Sequence, residues 1–372
     1  MDPQRQFCPN VNCPARGQVG HGTIRVHSQQ ERRYRCTVCG RTFAATTGTP
    51  FYRLHTPAGL VLVVLSLLGW GCPIQAVVHT FLLDERAVAA WLRRAGRHCQ
   101  QVHQHLVQGG EVDLQHVQAD ELWVKLVGQR VWVAMAPAAP SRLWPGGVSS
   151  RRRDKALITT LVQQVRACAA TLGLLVCVDG LAAYVTAFLR VFREPVRTGR
   201  PGRPRLVVAP DLLIGQVVKH YAQRHVASVS VRIRRGTAAA IATVLATTAT
   251  GTSIHTAYIE RLNATFRSHL APLVRRGRAL AHTVATLEAD LWLVGCAYNF
   301  CWPHDSLRRA APTDQGRAWL ARTPAMAAGL TDHPWALREL LWYRVPPSTW
   351  VAPKRRGRPP KHLKQPPALL AA

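Results

Sequence analysis

The chain has 372 residues, long enough for two or three domains around a sizeable core, so a small disulfide-stapled scaffold is excluded. Lys and Arg total 48 against 19 Asp and Glu, a formal charge of +29 spread along the whole length. Such an excess points to a polyanion, nucleic acid above all, because neutralised phosphates release condensed counterions; an Arg-rich background composition is the blander source of the same charge.

In chain order, the first signal is a set of cysteines. Cys8 and Cys13 flank one short loop (CPNVNC), Cys36 and Cys39 flank another (CTVC), and 22 residues separate the pairs. Thiolate pairs on tight turns can close a tetrahedral four-sulfur site, so this spacing predicts a zinc ribbon over residues 1–50 that draws folding energy from Zn2+. Thr23 to Val26 and Arg33 to Arg35 read as its strands, and the second knuckle continues into Arg41-Thr42-Phe43. The other six cysteines, Cys72, Cys99, Cys168, Cys177, Cys296 and Cys301, sit singly in apolar surroundings and read as buried thiols.

Beyond a basic stretch at Phe51 to His55, three helices are predicted: about Pro57 to Trp70, Ile74 to Phe81, and Asp84 to His98. Each carries an apolar stripe, and Arg86, Arg93, Arg94 and Arg97 face outward on the last. The pattern over 56–110 fits a helix-turn-helix whose final helix enters a major groove, and equally a three-helix bundle with a solvated basic face. The apolar run Leu60 to Gly71 is too short to span a bilayer, and no cleavable leader follows Met1. A cytoplasmic protein without a membrane partner is expected.

From His116 the period becomes strand-like: HVQADELWVKLV, then RVWVAMA, then a short strand near Ser141 to Trp144. A helix from about Asp154 to Leu172, an apolar strand ending at Asp179, and a helix from Ala182 to Phe192 follow. This α/β order matches the ribonuclease-H-like fold over 113–312, with an insertion at about 193–250 suggested by a hairpin of Ile214 to Lys219 and Val226 to Arg234. Asp120, Glu121 and Asp179 are the clear acids on strands. Neighbouring first and fourth strands bring Asp120 and Asp179 together, and two carboxylates at close range need a cation such as Mg2+ or Mn2+ between them. Taken singly, Asp120 also reads as an edge-strand salt bridge and Asp179 as a helix N-cap.

A further helix, TAYIERLNATFRSHL, turns Ile259, Leu262, Phe266 and Leu270 to the core and sets Glu260, Asn263 and Arg267 on another face. That face suits DNA phosphates, or is simply solvated. GRPGRPR, with Arg200 and Arg203, and KRRGRPPK, with Arg358, are similar to AT-hooks that lay an extended Arg into a narrow minor groove, or are solvated basic segments. Arg151 to Arg153, Arg275, Arg276 and Arg278 are further phosphate contacts. Residues 313–372 form a C-terminal region with a basic Pro-rich tail.

In these residues the chain resembles the DDE transposases of bacterial insertion sequences, most closely the family built around insertion sequence one. The resemblance runs through the CPN and RYRC-TVCGRTF knuckles, ADELW around Asp120, VDGLAAY around Asp179, YIERLNATFR around Glu260, and YNFCWPHDSLR at Tyr298 to Arg308. It implies that Asp120, Asp179 and Glu260 form the metal-binding catalytic triad, with Asn263 and Arg267 as helix companions. It further implies metal-dependent cleavage of double-stranded DNA at element ends and strand transfer into target DNA by a homo-oligomer in the bacterial cytoplasm, associated with the chromosome. Two other readings stay open: a DNA-binding regulator with an inactive catalytic domain, and a Holliday-junction or RNA-directed nuclease on the same fold.

Overall fold

The computed structural model describes residues 1–109, 111–197, 199, 202–223, 225–274, 283–311 and 318–352. They fall into two compact units, Met1–Thr47 with the segment that begins at Pro346, and Gly48–Val345.

The first unit carries an antiparallel three-stranded sheet of β1 (Ile24–Ser28), β2 (Arg33–Cys36) and β3 (Thr42–Ala44) in that order. Tyr34 and Phe43 are cross-strand partners and stack at 5.8 Å. With Ile24, Ala15 and the cysteines they make a core too small to hold so short a segment by apolar burial alone.

The second unit opens with α1 (Ala58–Gly69), α2 (Ile74–Phe81) and α3 (Glu85–Leu106). Asp84 caps α3, accepting the Ala87 N–H at 2.9 Å. The helix runs well past His98 because His98, Cys99, Val102 and His103 continue its buried stripe.

A mixed α/β core follows: β4 (His116–Leu126), β5 (Gln129–Ala136), β6 (Gly146–Ser150), α4 (Lys155–Cys168), β7 (Leu175–Asp179), α5 (Ala182–Val191), and a two-stranded ribbon of β8 (Arg193–Val196) and β9 (Arg205–Val208). Then come β10 (Leu213–Ala222), β11 (His225–Arg235), α6 (Ala238–Thr247), α7 (Ala257–His269) and α8 (Val284–Phe300). A small ribbon of β12 (Arg309–Ala310) and β13 (Trp319–Leu320), then α9 (Pro324–Ala327) and α10 (Leu337–Trp342), complete this unit.

The main sheet has the order β11-β10-β7-β4-β5-β6. β4, β5 and β6 are antiparallel, β7 and β10 run parallel to β4, and β11 returns antiparallel at the edge. Val176 and Val178 turn to the core shared with α4 and α5, whereas Leu175 and Cys177 turn to Ile241 and Leu245 of α6. Helices therefore cover both faces, as parallel strands require. The span read from sequence as an insertion, about 193–250, contributes β10 to the main sheet.

One expected strand is absent. Ser141 to Trp144 is irregular, and the third strand lies later, at β6. Asn299 of α8 explains the difference: its side chain accepts the Trp144 N–H at 2.8 Å and donates to the Trp144 carbonyl at 2.9 Å. Those backbone groups are satisfied without a ladder, and the Trp144 indole becomes a fully buried plug. Gly295 of α8 is needed beneath it, since a Cβ there would sit 2.1 Å from the Trp144 ring. The same helix meets α3 at Gly96, where a Cβ would lie 2.4 Å from the Ala289 Cα. Among the described residues no helix is long and apolar enough to cross a membrane.

Candidate metal centres and the acidic groove

In the N-terminal unit the four expected cysteines converge. One sulfur each from Cys8, Cys13, Cys36 and Cys39 lie within 4.8 Å of one another, with Cys8 to Cys39 at 3.7 Å and Cys13 to Cys36 at 3.8 Å. Tight turns position them: Arg16 N–H donates to the Cys13 carbonyl and Gly40 N–H to the Cys36 carbonyl. Burial pushes the Cys8 and Cys13 thiols up. At Cys39 burial acts in the same direction, but hydrogen bonds from the Arg41 backbone and the Asn10 side chain bring it down to about 7. Four sulfurs at this spacing, three of them buried, can hold a metal such as zinc.

In the second unit the acids meet where the parallel pairing of β4 with β7 ends. β4 and β7 pair in parallel as far as Ala119 and Val178, and Asp120 and Asp179 each stand one residue beyond that pair. Carboxylate oxygens of Asp120, Glu121 and Asp179 lie within 4.8 Å of one another. Asp120 and Asp179 open onto a groove lined also by Arg153, Leu181, Val218, Lys219, Thr256 and Glu260.

Each acid has different partners. Asp120 Oδ2 accepts the Asn263 side-chain amide at 3.0 Å. Burial, with the negative charges of Glu121 and Asp179, raises its carboxyl to about 6. Asp179 accepts the Leu181 N–H at 3.0 Å, lies 3.8 Å from the Arg153 guanidinium, and has its backbone carbonyl held by Gln216 at 3.0 Å. Glu121 is buried, ion-paired to Arg153 through one oxygen, and accepts the Tyr184 hydroxyl on the other at 2.8 Å. The Glu121 side chain is fully buried, whereas Asp120 and Asp179 line the groove, so these two are the carboxylates placed to take a cation, and their repulsion gives them reason to.

Glu260 borders the same groove from the first turn of α7 and is not in the three-acid cluster. Its Oε1 accepts Lys219 Nζ at 2.8 Å and the Thr256 hydroxyl at 3.1 Å. The Lys219 contact draws its carboxyl below the usual range. Its helix is aimed by Gln118, whose Oε1 accepts the N–H groups of Tyr258 at 2.9 Å and Ile259 at 3.1 Å.

Of the other expected DNA contacts, Arg86, Arg93 and Arg97 are exposed along α3, while Arg94 is partly buried and donates to the Tyr52 carbonyl. Arg267 lies on α7 with Asn263, and Arg203 is exposed immediately before β9. Arg200, Arg358, Arg275, Arg276 and Arg278 lie outside the described residues.

Sequence reasoning missed Gln118, Lys219 and Tyr184, and gave Glu121 and Arg153 no part in the acidic site. Only Gln118 left a local signal: a polar residue two before Asp120, on the same face of an apolar strand. No family model matches this chain, and no curated protein matches it.

Proposed function

We propose that the chain is a DDE-type transposase, a ribonuclease-H-like catalytic domain behind a zinc ribbon and a helix-turn-helix. In this reading a homo-oligomer acts in the bacterial cytoplasm on chromosomal DNA, cutting element ends and joining them to target DNA. The observation that carries it is the meeting of Asp120, within β4, and Asp179, at the end of the adjacent parallel β7, with Glu260 of α7 lining the same groove and Asn263 of α7 bonded to Asp120. The strand order supports it too: three antiparallel strands, then two parallel strands reached through helices, with β4 central.

Asp120 and Asp179 hold Mg2+ or Mn2+ in this reading. Bound there, the ion supplies activation of the attacking oxygen and stabilisation of the leaving one. The chain's own residues orient the rest. Asn263 fixes the Asp120 rotamer, Glu121 and Tyr184 hold Arg153 beside Asp179 where a scissile phosphate needs a counter-charge, and Gln118 sets the angle of α7. Arg86, Arg93 and Arg97 position duplex DNA through its phosphates.

Alanine at Asp179 tests the reading: cleavage and strand transfer are lost while binding to element ends is kept. If that variant cut DNA at the wild-type rate, the metal-site assignment would be wrong. The engagement of Glu121 and Glu260 by cations favours one alternative, a DNA-binding regulator with an inactive catalytic domain. In that case the wild-type chain binds ends and cuts nothing. Cleavage without rejoining, and without preference for terminal repeats, would instead mark a junction or RNA-directed nuclease.

A further inference from the structure

Two cations face the acidic groove, and they are held differently. Arg153 is anchored by a buried Glu121 that is itself held by Tyr184. Lys219, projecting from β10, grips Glu260 in an open pair whose side chains are 42% and 52% exposed. The register puts Val217 of β10 opposite Asp179, so Lys219 stands two residues further along the same strand, at the groove mouth. An exposed lysine–carboxylate pair adds little and is easily exchanged. A phosphodiester offers the ammonium an equivalent charge-assisted contact, and the large positive charge of the chain brings phosphates there.

We propose that Lys219 is a latch on Glu260: without nucleic acid it holds the carboxylate out of the Asp120–Asp179 centre, and a DNA phosphate that takes Lys219 releases Glu260 to join it. The inference rests on reading that centre as a divalent-metal site. Thr256 keeps Glu260 at the groove wall during the exchange, through its 3.1 Å hydrogen bond. Because the pair is weak, the coupling is modest. Freeing Glu260 shifts its availability by about fivefold, and by linkage metal strengthens DNA binding by the same factor.

The test uses iron(II) as the probe, with ascorbate and peroxide, on the full chain. Hydroxyl radicals formed at bound iron cut the backbone nearest the ligands, a readout independent of DNA cleavage activity. In the wild-type chain, cuts near Asp120 and Asp179 are expected with or without duplex, and cuts near Glu260 rise about fivefold when duplex is added. Lys219→Gln shows the Glu260 cuts without duplex, Lys219→Arg keeps the duplex dependence, and Glu260→Gln lacks those cuts under both conditions. The latch is overturned if Lys219→Gln keeps the wild-type duplex dependence, or if the cuts persist in Glu260→Gln. The underlying metal reading fails separately, and the latch with it, if Asp179→Asn is cut at Asp120 as strongly as wild type.

Discussion

Asn263 on α7 donates its side-chain amide to Asp120 Oδ2 across 3.0 Å, joining the helix to the central strand at the point where the acids converge. An N–H donor favours the charged carboxylate, and Asp120 already sits at about 6. Removing the donor in Asn263→Ala therefore pushes Asp120 further up. The pH at which Mn2+ binding reaches half its maximum, followed by electron paramagnetic resonance, should rise by about 1–2 units, the equivalent of one hydrogen bond to a charged group. An unchanged midpoint would mean that Asp120 does not bind the ion.

Gln118 is the acceptor for the first turn of α7, which has no side-chain cap of its own at Thr256. Gln118→Ala strands the N–H groups of Tyr258 and Ile259 and also frees the His255 carbonyl, which accepts Gln118 Nε2 at 2.8 Å. A loss of about 2 kcal/mol in urea denaturation is expected. Hydrogen exchange in the first turn of α7 should rise more than in α8.

The cysteine cluster makes a separate prediction. A structural zinc site contributes roughly 10–16 kcal/mol, more than the small core of Tyr34, Phe43 and Ile24 can replace. The purified chain should carry one zinc by atomic absorption. Cys13→Ser, or treatment with a strong chelator, should remove it and abolish exchange protection in β1, β2 and β3 while leaving β4 and β7 protected.

Asp290 on α8 gives a pH signature. Burial raises its carboxyl to about 8, and Oδ1 has no hydrogen-bond partner. Its folded value lies above the unfolded one of about 3.9. The stability it contributes as a neutral acid is thus complete below pH 4 and is lost as pH rises through 8. Across that window unfolding free energy should fall by about 1.4 kcal/mol per pH unit from this group. Asp290→Asn should flatten the profile and raise stability above pH 8; a profile unchanged by the substitution would count against a buried acid.

Local spacing was enough to read the four cysteines, the starts of α1, α2 and α5, and Asp179 at the end of an apolar strand, because each depends on neighbours a few residues away. The extent of α3, the displacement of the third strand from Ser141–Trp144 to β6, and the entry of β10 into the main sheet were not legible. They depend on contacts such as Trp144 with Asn299 and on pairing of β10 with β7, between segments far apart in the chain. The acidic site divides in the same way. Asp120 and Asp179 stood out because charge is scarce in apolar strands. That Glu121 answers Arg153 and Tyr184, and that Glu260 answers Lys219, was decided by sheet register and helix packing, which bring together charges that sequence distance keeps unrelated.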